Sequence, residues 1–519
     1  MKKLKSITAF VLSLILVLSC LSALAFAESS EKSYPIVCLK GQGANLTDNA
    51  KNNGKVIYPI QIPDGYLGEE GKKLITPLFL GLTANIWDSY NEKLYPAVMN
   101  ILSPFALDEN GEVANGSGSM YTSSKNPTKL TPNSAFKMFY FDYDWRTDPV
   151  KCADDLHEYI SYVKTKCNTE KVNIVARCLG TNIALAYAYK YGTKDIQKCI
   201  LCCSGFDGFE TIGALFSGEI TFDSDSIKRF SDSYLSVEDY ADDPTFEVVR
   251  NVIAALQATP VMAFGSDTLN SFYAGIKNDS YREILRDSYA TTPSTWSYIG
   301  DDYYEKAKSF VYNGEEEKYA GIIEKIDYFH YTILDNYSEI LSKMENDGTY
   351  IYNVVKYGFQ ILPLLGNNTV MSDTLISTER SSLGATCSEV GKTLDAEYLV
   401  SADSKYISPD NQIDASTCRY PEHTWFIKNM THKNMPNSVN AVFDAILKAE
   451  GYATVNDVEG YPQFLMSSDS GETIFPATKE NTAKPDERLA TTPIDALIKI
   501  LIRIIRTVLS NFFSMITAD

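Results

Sequence analysis

The stretch Lys171-Val172-Asn173-Ile174-Val175-Ala176-Arg177-Cys178-Leu179-Gly180-Thr181-Asn182-Ile183-Ala184 decides how this chain is read. Val172 to Val175 is rich in β-branched residues and reads as a buried strand. A helix-like run, Leu179 to Lys190, follows directly. Between them, Cys178 stands two residues from Ala176 on one side and two from Gly180 on the other. Small-x-nucleophile-x-small at a strand-to-helix junction is the pattern of a nucleophile elbow. The small neighbours matter because the turn is cramped and a larger side chain would strike the strand or the helix. Such a turn lifts its central side chain above the sheet edge and aims the next backbone N–H, here that of Leu179, at the oxygen of a bound carbonyl. The reactive position holds a thiol, not a hydroxyl.

On either side of this stretch the chain alternates. Tyr34-Pro35-Ile36-Val37-Cys38-Leu39 reads as a buried strand running into the glycine turn Lys40-Gly41-Gln42-Gly43. Residues 81–100 carry a helical pattern, 106–134 read as a long loop rich in Gly, Ser, Asn and Pro, and Phe136 to Tyr143 is an aromatic strand. Residues 151–166 are helical, with Leu156, Ile160 and Val163 on one face, and Cys199 to Cys203 is another buried strand. Strand, helix, strand, helix predicts a mostly parallel sheet covered on both faces, an α/β fold. From 206 to 395 the alternation fails, so this region reads as a large, mainly helical inserted cap. The sheet is expected to resume over 396–455, with strands at Glu397 to Val400 and Thr424 to Ile427 and a helix at Val439 to Lys448. The core's first part is then 28–205, and 456–492 reads as a linker.

The two termini differ in character from the rest. Lys2, Lys3 and Lys5, the apolar run Phe10 to Leu18, and Ala25-Phe26-Ala27 make residues 1–27 a secretory signal peptide, with lipid attachment at Cys20 the competing reading. The protein is therefore expected outside the cell or at its surface. Without the leader's three lysines the formal net charge moves from −19 to −22, which argues against nucleic-acid partners. Nine cysteines remain after Cys20, an odd number, so at least one thiol is free or pairs between chains, and Cys178 is the candidate. No cysteine pair has zinc spacing beside histidines, and no cofactor is called for. In 493–519, Leu497, Ile498, Leu501, Ile505, Val508, Leu509, Phe512 and Ile516 recur at helical spacing among Lys499, Arg503 and Arg506. Such a basic amphipathic helix can lie on an anionic membrane surface; docking on the body of the protein, or pairing with a copy of itself, is the alternative.

A thiol nucleophile needs a base, and the base needs an orienting acid. Of four histidines, His157 and His330 lie in helical runs and His423 starts a strand. His432 lies in the loop after that strand, where it can reach the carboxyl edge of a parallel sheet, so it is the expected base. The acid should fall between nucleophile and histidine in the chain. The turn-rich segment Ser408-Pro409-Asp410-Asn411-Gln412-Ile413-Asp414 offers Asp410 first and Asp414 as the alternative, with Asp403 a weaker third. The oxyanion donors are expected at Leu179 and near Gln42.

Phe141-Asp142-Tyr143-Asp144-Trp145-Arg146, about thirty residues before the elbow, resembles the YDWR segment of the lecithin:cholesterol acyltransferase family of α/β hydrolases. Asp410-Asn411-Gln412-Ile413 resembles that family's acid segment, Thr431-His432-Lys433-Asn434-Met435 its histidine segment, and Trp87 an early family tryptophan. The resemblance covers short blocks within 34–449 and departs at Ala176-Arg177-Cys178 (Gly-His-Ser in the family), at Lys40-Gly41 (often His-Gly) and at Asp410-Asn411 (Asp-Gly). It implies an α/β-hydrolase fold and a Cys178–His432–Asp410 triad. It also implies hydrolysis of lipid-like acyl esters, or acyl transfer to an alcohol. Asp144, Trp145 and Arg146 read as structural support rather than catalytic groups. The rival reading is a catalytically silent relative that binds lipid, glycan or a surface partner.

Overall fold

The computed structural model describes residues 33–42, 46–48, 55–58, 60–63, 65–113, 123, 125–234, 260–366, 368–468 and 472–482. The expected signal peptide, Cys20 and the amphipathic segment 493–519 lie outside these residues. The chain divides into two compact units, Met1–Tyr34 and Pro35–Asp519. The first is described only at Ser33 and Tyr34, which belong to no helix or strand. The remaining description concerns the second unit.

Among the described residues, nine strands form its central sheet: β1 (Ile36–Leu39), β2 (Thr128–Lys129), β3 (Lys137–Phe141), β4 (Val172–Arg177), β5 (Ile196–Cys202), β6 (Tyr350–Tyr357), β7 (Thr424–Lys428), β8 (Phe464–Ser467) and β9 (Ile474–Pro476). Their spatial order is β9-β8-β7-β6-β5-β4-β1-β3-β2. Only the outermost pairings, β2 with β3 and β8 with β9, are antiparallel. The central strands are buried along nearly their whole length, as a parallel sheet covered on both faces requires. The helix Pro149–Cys167 begins with Asp148 accepting the Val150 N–H and Pro149 at its first position, a favourable start. It packs against the elbow helix Leu179–Tyr191, where the His157 ring stacks on Tyr191 at 4.0 Å.

Between β5 and β6 the described chain is helical, including Glu210–Ser217, Pro260–Ile276, Tyr304–Tyr312, Ala320–Tyr328 and Tyr337–Asn346. Among the described residues no helix is long and apolar enough to cross a membrane.

Three expected boundaries are corrected. The region 206–395 is not insertion throughout, because β6 runs through it as an inner strand. Its Asn353 and Lys356 break the apolar pattern, yet both are fully buried and hydrogen-bonded to carbonyls within the fold. Glu397 to Val400 belongs to a short helix, Ala396–Ser401, on which Val400 is 89% exposed. Without burial, its β-branched side chain does not select a strand. The expected linker 456–492 carries β8 and β9, which extend the sheet by burying Phe464 and Leu465.

Candidate active site

Cys178 sits where β4 turns into its helix, with φ 49° and ψ −121°. A non-glycine residue at positive φ is strained and is held there only by its surroundings. Those surroundings explain the small neighbours. A Cβ on Gly180 would lie 2.6 Å from the Leu39 carbonyl oxygen and 2.8 Å from Leu39 Cβ, so only glycine lets the elbow helix approach β1. A Cβ on Gly41 would lie 2.9 Å from Cys178 Cβ and 3.5 Å from its Sγ, which puts the turn after β1 directly against the nucleophile. One residue on, Gln42 is buried, and its Nε2 has no partner among the described residues. The Cys178 N–H donates to the Cys202 carbonyl, tying the elbow to β5.

His432 arrives from the loop after β7 and lies close enough to the Cys178 sulfur for the charge of each to act on the other. A buried lysine of β6 fixes this loop: Lys356 Nζ donates to the carbonyls of Thr431 (3.2 Å), His432 (2.9 Å) and Asn434 (2.6 Å). The other histidines are engaged elsewhere. His157 stacks on Tyr191, His330 on Tyr304 at 3.6 Å, and His423 on Tyr452 at 3.7 Å.

The acid differs from the sequence expectation. His432 Nδ1 lies 2.7 Å from Asp373 Oδ2, and the His432 N–H donates to the Asp373 carbonyl at 2.7 Å. Asp373 follows the two-residue strand Met371–Ser372, and its Oδ1 accepts the Leu375 and Ile376 N–H groups at 3.0 and 2.9 Å. Asp410 instead binds Lys428 Nζ at 2.6 Å and Ser408 Oγ at 2.6 Å. Asp414 caps a short 3-10 turn through the Ser416 N–H and accepts the Tyr398 hydroxyl. Asp403 accepts the Lys405 N–H. All three are spent in turns of their own, as Asp residues commonly are. No local pattern marks Asp373, because β6 lies within the stretch expected to be cap. The available signal was the strand-like run Tyr350 to Tyr357, closed by Gly358, with an Asp beyond it.

The electrostatics are those of an ion pair. Burial alone would raise the Cys178 thiol, but the His432 imidazolium and hydrogen bonds from His432, Tyr298 and the Leu179 N–H bring it below its ordinary value. Burial alone would lower His432, but the Asp373 carboxylate and the Cys178 thiolate lift it to about 10. Burial would likewise raise Asp373, and its pairing with His432 instead holds it below the usual range. The position of Cys178 at a helix N-terminus favours the thiolate further. This arrangement favours a nucleophilic sulfur beside a proton donor, with the Leu179 N–H at hand for developing negative charge.

The segment Asp144–Arg146 is braced by contacts of its own. Arg146 forks onto Asp144 at 3.0 and 2.7 Å and donates to the Phe105 carbonyl at 2.8 Å. Trp145 packs edge-on against Tyr58 and beside Phe105. Among the described residues, two sets of three side chains have possible ligand atoms within 4.8 Å of one another. In the first, Cys203 joins Asp373 and His432, which already bond each other. In the second, Asp301 and Asp335 face His330, and Asp301 is 80% exposed. All nine cysteines among the described residues are free thiols.

A family model described as the alpha/beta hydrolase fold matches residues 119–265. Together with the nine-stranded, mostly parallel sheet and its strand-to-helix elbow, this defines the class: the chain has the α/β-hydrolase fold. No curated protein matches the chain. Among solved structures, the Tle4–Tli4 complex is similar at 10% identity and a TM-score of 0.26, over 62% of this chain and 75% of that one. A bromoperoxidase from Bacillus anthracis is similar at 14% identity and a TM-score of 0.16, over 57% of this chain and 92% of that one. Likenesses at these scores carry no argument about chemistry.

Proposed function

We propose that the protein is an exported acyl-ester hydrolase or O-acyltransferase acting through Cys178, His432 and Asp373. The observation that supports this best is the Asp373 carboxylate hydrogen-bonded to a His432 imidazole that lies beside a sulfur held at an elbow. The Cys178 thiolate attacks the ester carbonyl. The oxyanion forms beside the Leu179 N–H, with a second donor in the Gly41–Gln42 turn. His432 gives its proton to the departing alkoxide, leaving a thioester on Cys178. It then takes a proton from water or an acceptor alcohol, whose oxygen attacks the thioester and releases the thiolate. Asp373 keeps the imidazole in the required orientation throughout and is not itself protonated.

The resemblance to the lecithin:cholesterol acyltransferase family and the aromatic rings of Phe209 and Tyr298 beside the site favour an apolar, lipid-like acyl group. The leader 1–27 supports export, and the basic amphipathic segment 493–519 supports contact with a membrane surface.

The test is turnover of p-nitrophenyl esters of increasing chain length by wild type, Cys178→Ser and Cys178→Ala. Wild type should turn over the longer esters best and Cys178→Ala none. Equal turnover by Cys178→Ala would refute the reading.

A further inference from the structure

The insertion sends one segment deep into the site. Every residue from Thr291 to Gly300 is buried, although the stretch holds only two short helical turns, Tyr289–Thr291 and Pro293–Trp296. The segment is held at each end and in between. The Ser294 hydroxyl donates to the Trp145 carbonyl. Trp296 lies between Phe216 and Tyr312 at 5.1 and 5.4 Å. The Asn182 carboxamide, one turn into the elbow helix, donates to the Ser297 carbonyl at 2.9 Å and its hydroxyl at 3.0 Å. The Phe209 N–H donates to the Tyr298 carbonyl. At Gly300 the segment crosses Gly208 so closely that a Cβ on Gly208 would lie 2.2 Å from the Gly300 nitrogen.

This strap delivers Tyr298. Its ring packs tilted against Phe209 at 4.4 Å, and Phe209 in turn meets His432 edge-on at 5.8 Å. The Tyr298 hydroxyl lies 3.4 Å from Cys178 Sγ. The Leu179 N–H, the expected oxyanion donor, belongs to the residue next to Cys178, and its dipole acts on both that hydroxyl and the sulfur. In an acyl transfer the carbonyl oxygen must bond the same N–H while its carbon joins the same sulfur. The Tyr298 hydroxyl, already against that sulfur, stands in the way of the substrate oxygen's approach.

We propose that Tyr298 is a resident occupant of the oxyanion site, its hydroxyl accepting the Leu179 N–H and donating to the Cys178 thiolate until an acyl substrate displaces it. The inference rests on the Cys178–His432–Asp373 reading. Tyr298 suits the role because it stays a phenol: burial first, and the neighbouring Cys178 second, hold it well above the usual tyrosine range. A phenol here satisfies both a buried N–H and a thiolate that would otherwise lose partners when the site is empty, and it covers the sulfur against stray electrophiles. Substrate entry then exchanges one set of hydrogen bonds for another and needs only a ring displacement, leaving the strap anchored through Ser294, Ser297 and Gly300.

The test compares the full chain with Tyr298→Phe and, as a second variant of similar apolar bulk, Tyr298→Leu. Two rates are followed across pH: alkylation of Cys178 by iodoacetamide, read by mass spectrometry, and acylation by p-nitrophenyl acetate. Both variants should show a higher apparent thiol pKa, because the sulfur loses a donor. Both should also acylate about tenfold faster at the high-pH plateau, because the Leu179 N–H is free. Equal or slower plateau acylation, with the thiol pKa still low in wild type, would overturn the occupant role alone and make Tyr298 a bystander or a second oxyanion donor. A Cys178 that titrates as an ordinary thiol in all three chains would overturn the triad reading, and the occupant role with it.

Discussion

Cys178 and Asp373 reach the same imidazole from opposite kinds of local structure. Cys178 is fixed by its immediate neighbours: a strand that ends at Arg177, a helix that starts at Leu179, and Gly180 pressed on Leu39. Asp373 is fixed by a turn ahead of the short helix Thr378–Ser381, through the N–H groups of Leu375 and Ile376, the Ile376 carbonyl and the backbone of His432 itself. The first arrangement is local in sequence. The second depends on β6 and β7 lying side by side in register, from Asn353 against Thr424 to Tyr357 against Lys428, so that the loops after them meet. Half of the site is written in one short motif, and the other half exists only once the sheet has assembled.

Substituting the acids separates the two arrangements most sharply. Asp373→Asn should lower acylation of Cys178 by about 10²–10⁴-fold while leaving the fold in place, because the imidazole loses the group that fixes its tautomer. Next in size is Lys356→Met. Three carbonyls of the His432 loop would lose their shared donor, costing about 2–4 kcal/mol in urea unfolding, with acylation falling as His432 wanders. Gly180→Val tests the local half. The added carbons meet the Leu39 backbone, so the urea midpoint should fall by an amount equivalent to about 1–3 kcal/mol. Asp410→Asn should do least, changing acylation within about twofold, since Asp410 is bound to Lys428 and Ser408 rather than to His432. If Asp410→Asn matched the loss in Asp373→Asn, the assignment of the acid would be wrong.

The same contrast governs how much was legible in the sequence. Small residues around a nucleophile and a histidine after a late strand are short-range patterns, and the structure brings Cys178 and His432 together. The Asp144–Arg146 fork is equally local. The acid was missed because β6 carries Asn353 and Lys356 among its apolar residues, a mixture that reads as cap until one knows what the buried amide and ammonium bind. Asp410 drew attention through its turn chemistry, and turn chemistry is what occupies it. The strap and Tyr298 left no pattern at all. A run of Thr, Ser, Pro and Tyr is ordinary loop composition, and its complete burial follows from partners more than a hundred residues away in sequence, Trp145 and Asn182 among them.

The ion pair also fixes a pH dependence. The thiol's ordinary value is about 8.5 and it is depressed here, so the thiolate persists below that pH and is lost as acid protonates it. The imidazolium is lost as pH rises through about 10. Acylation should therefore rise as pH climbs through the depressed thiol value and decline again in strong alkali.

The most direct test of the triad is the protonation state of His432, followed by NMR of the imidazole ring from pH 5 to 9 and assigned by comparison with His432→Gln, which leaves only three histidines. Protonation that persists through pH 8, heading for a midpoint of about 10, is the predicted result. A midpoint near the ordinary histidine value of about 6.5 would contradict the account, because no thiolate and carboxylate would then be holding the ring.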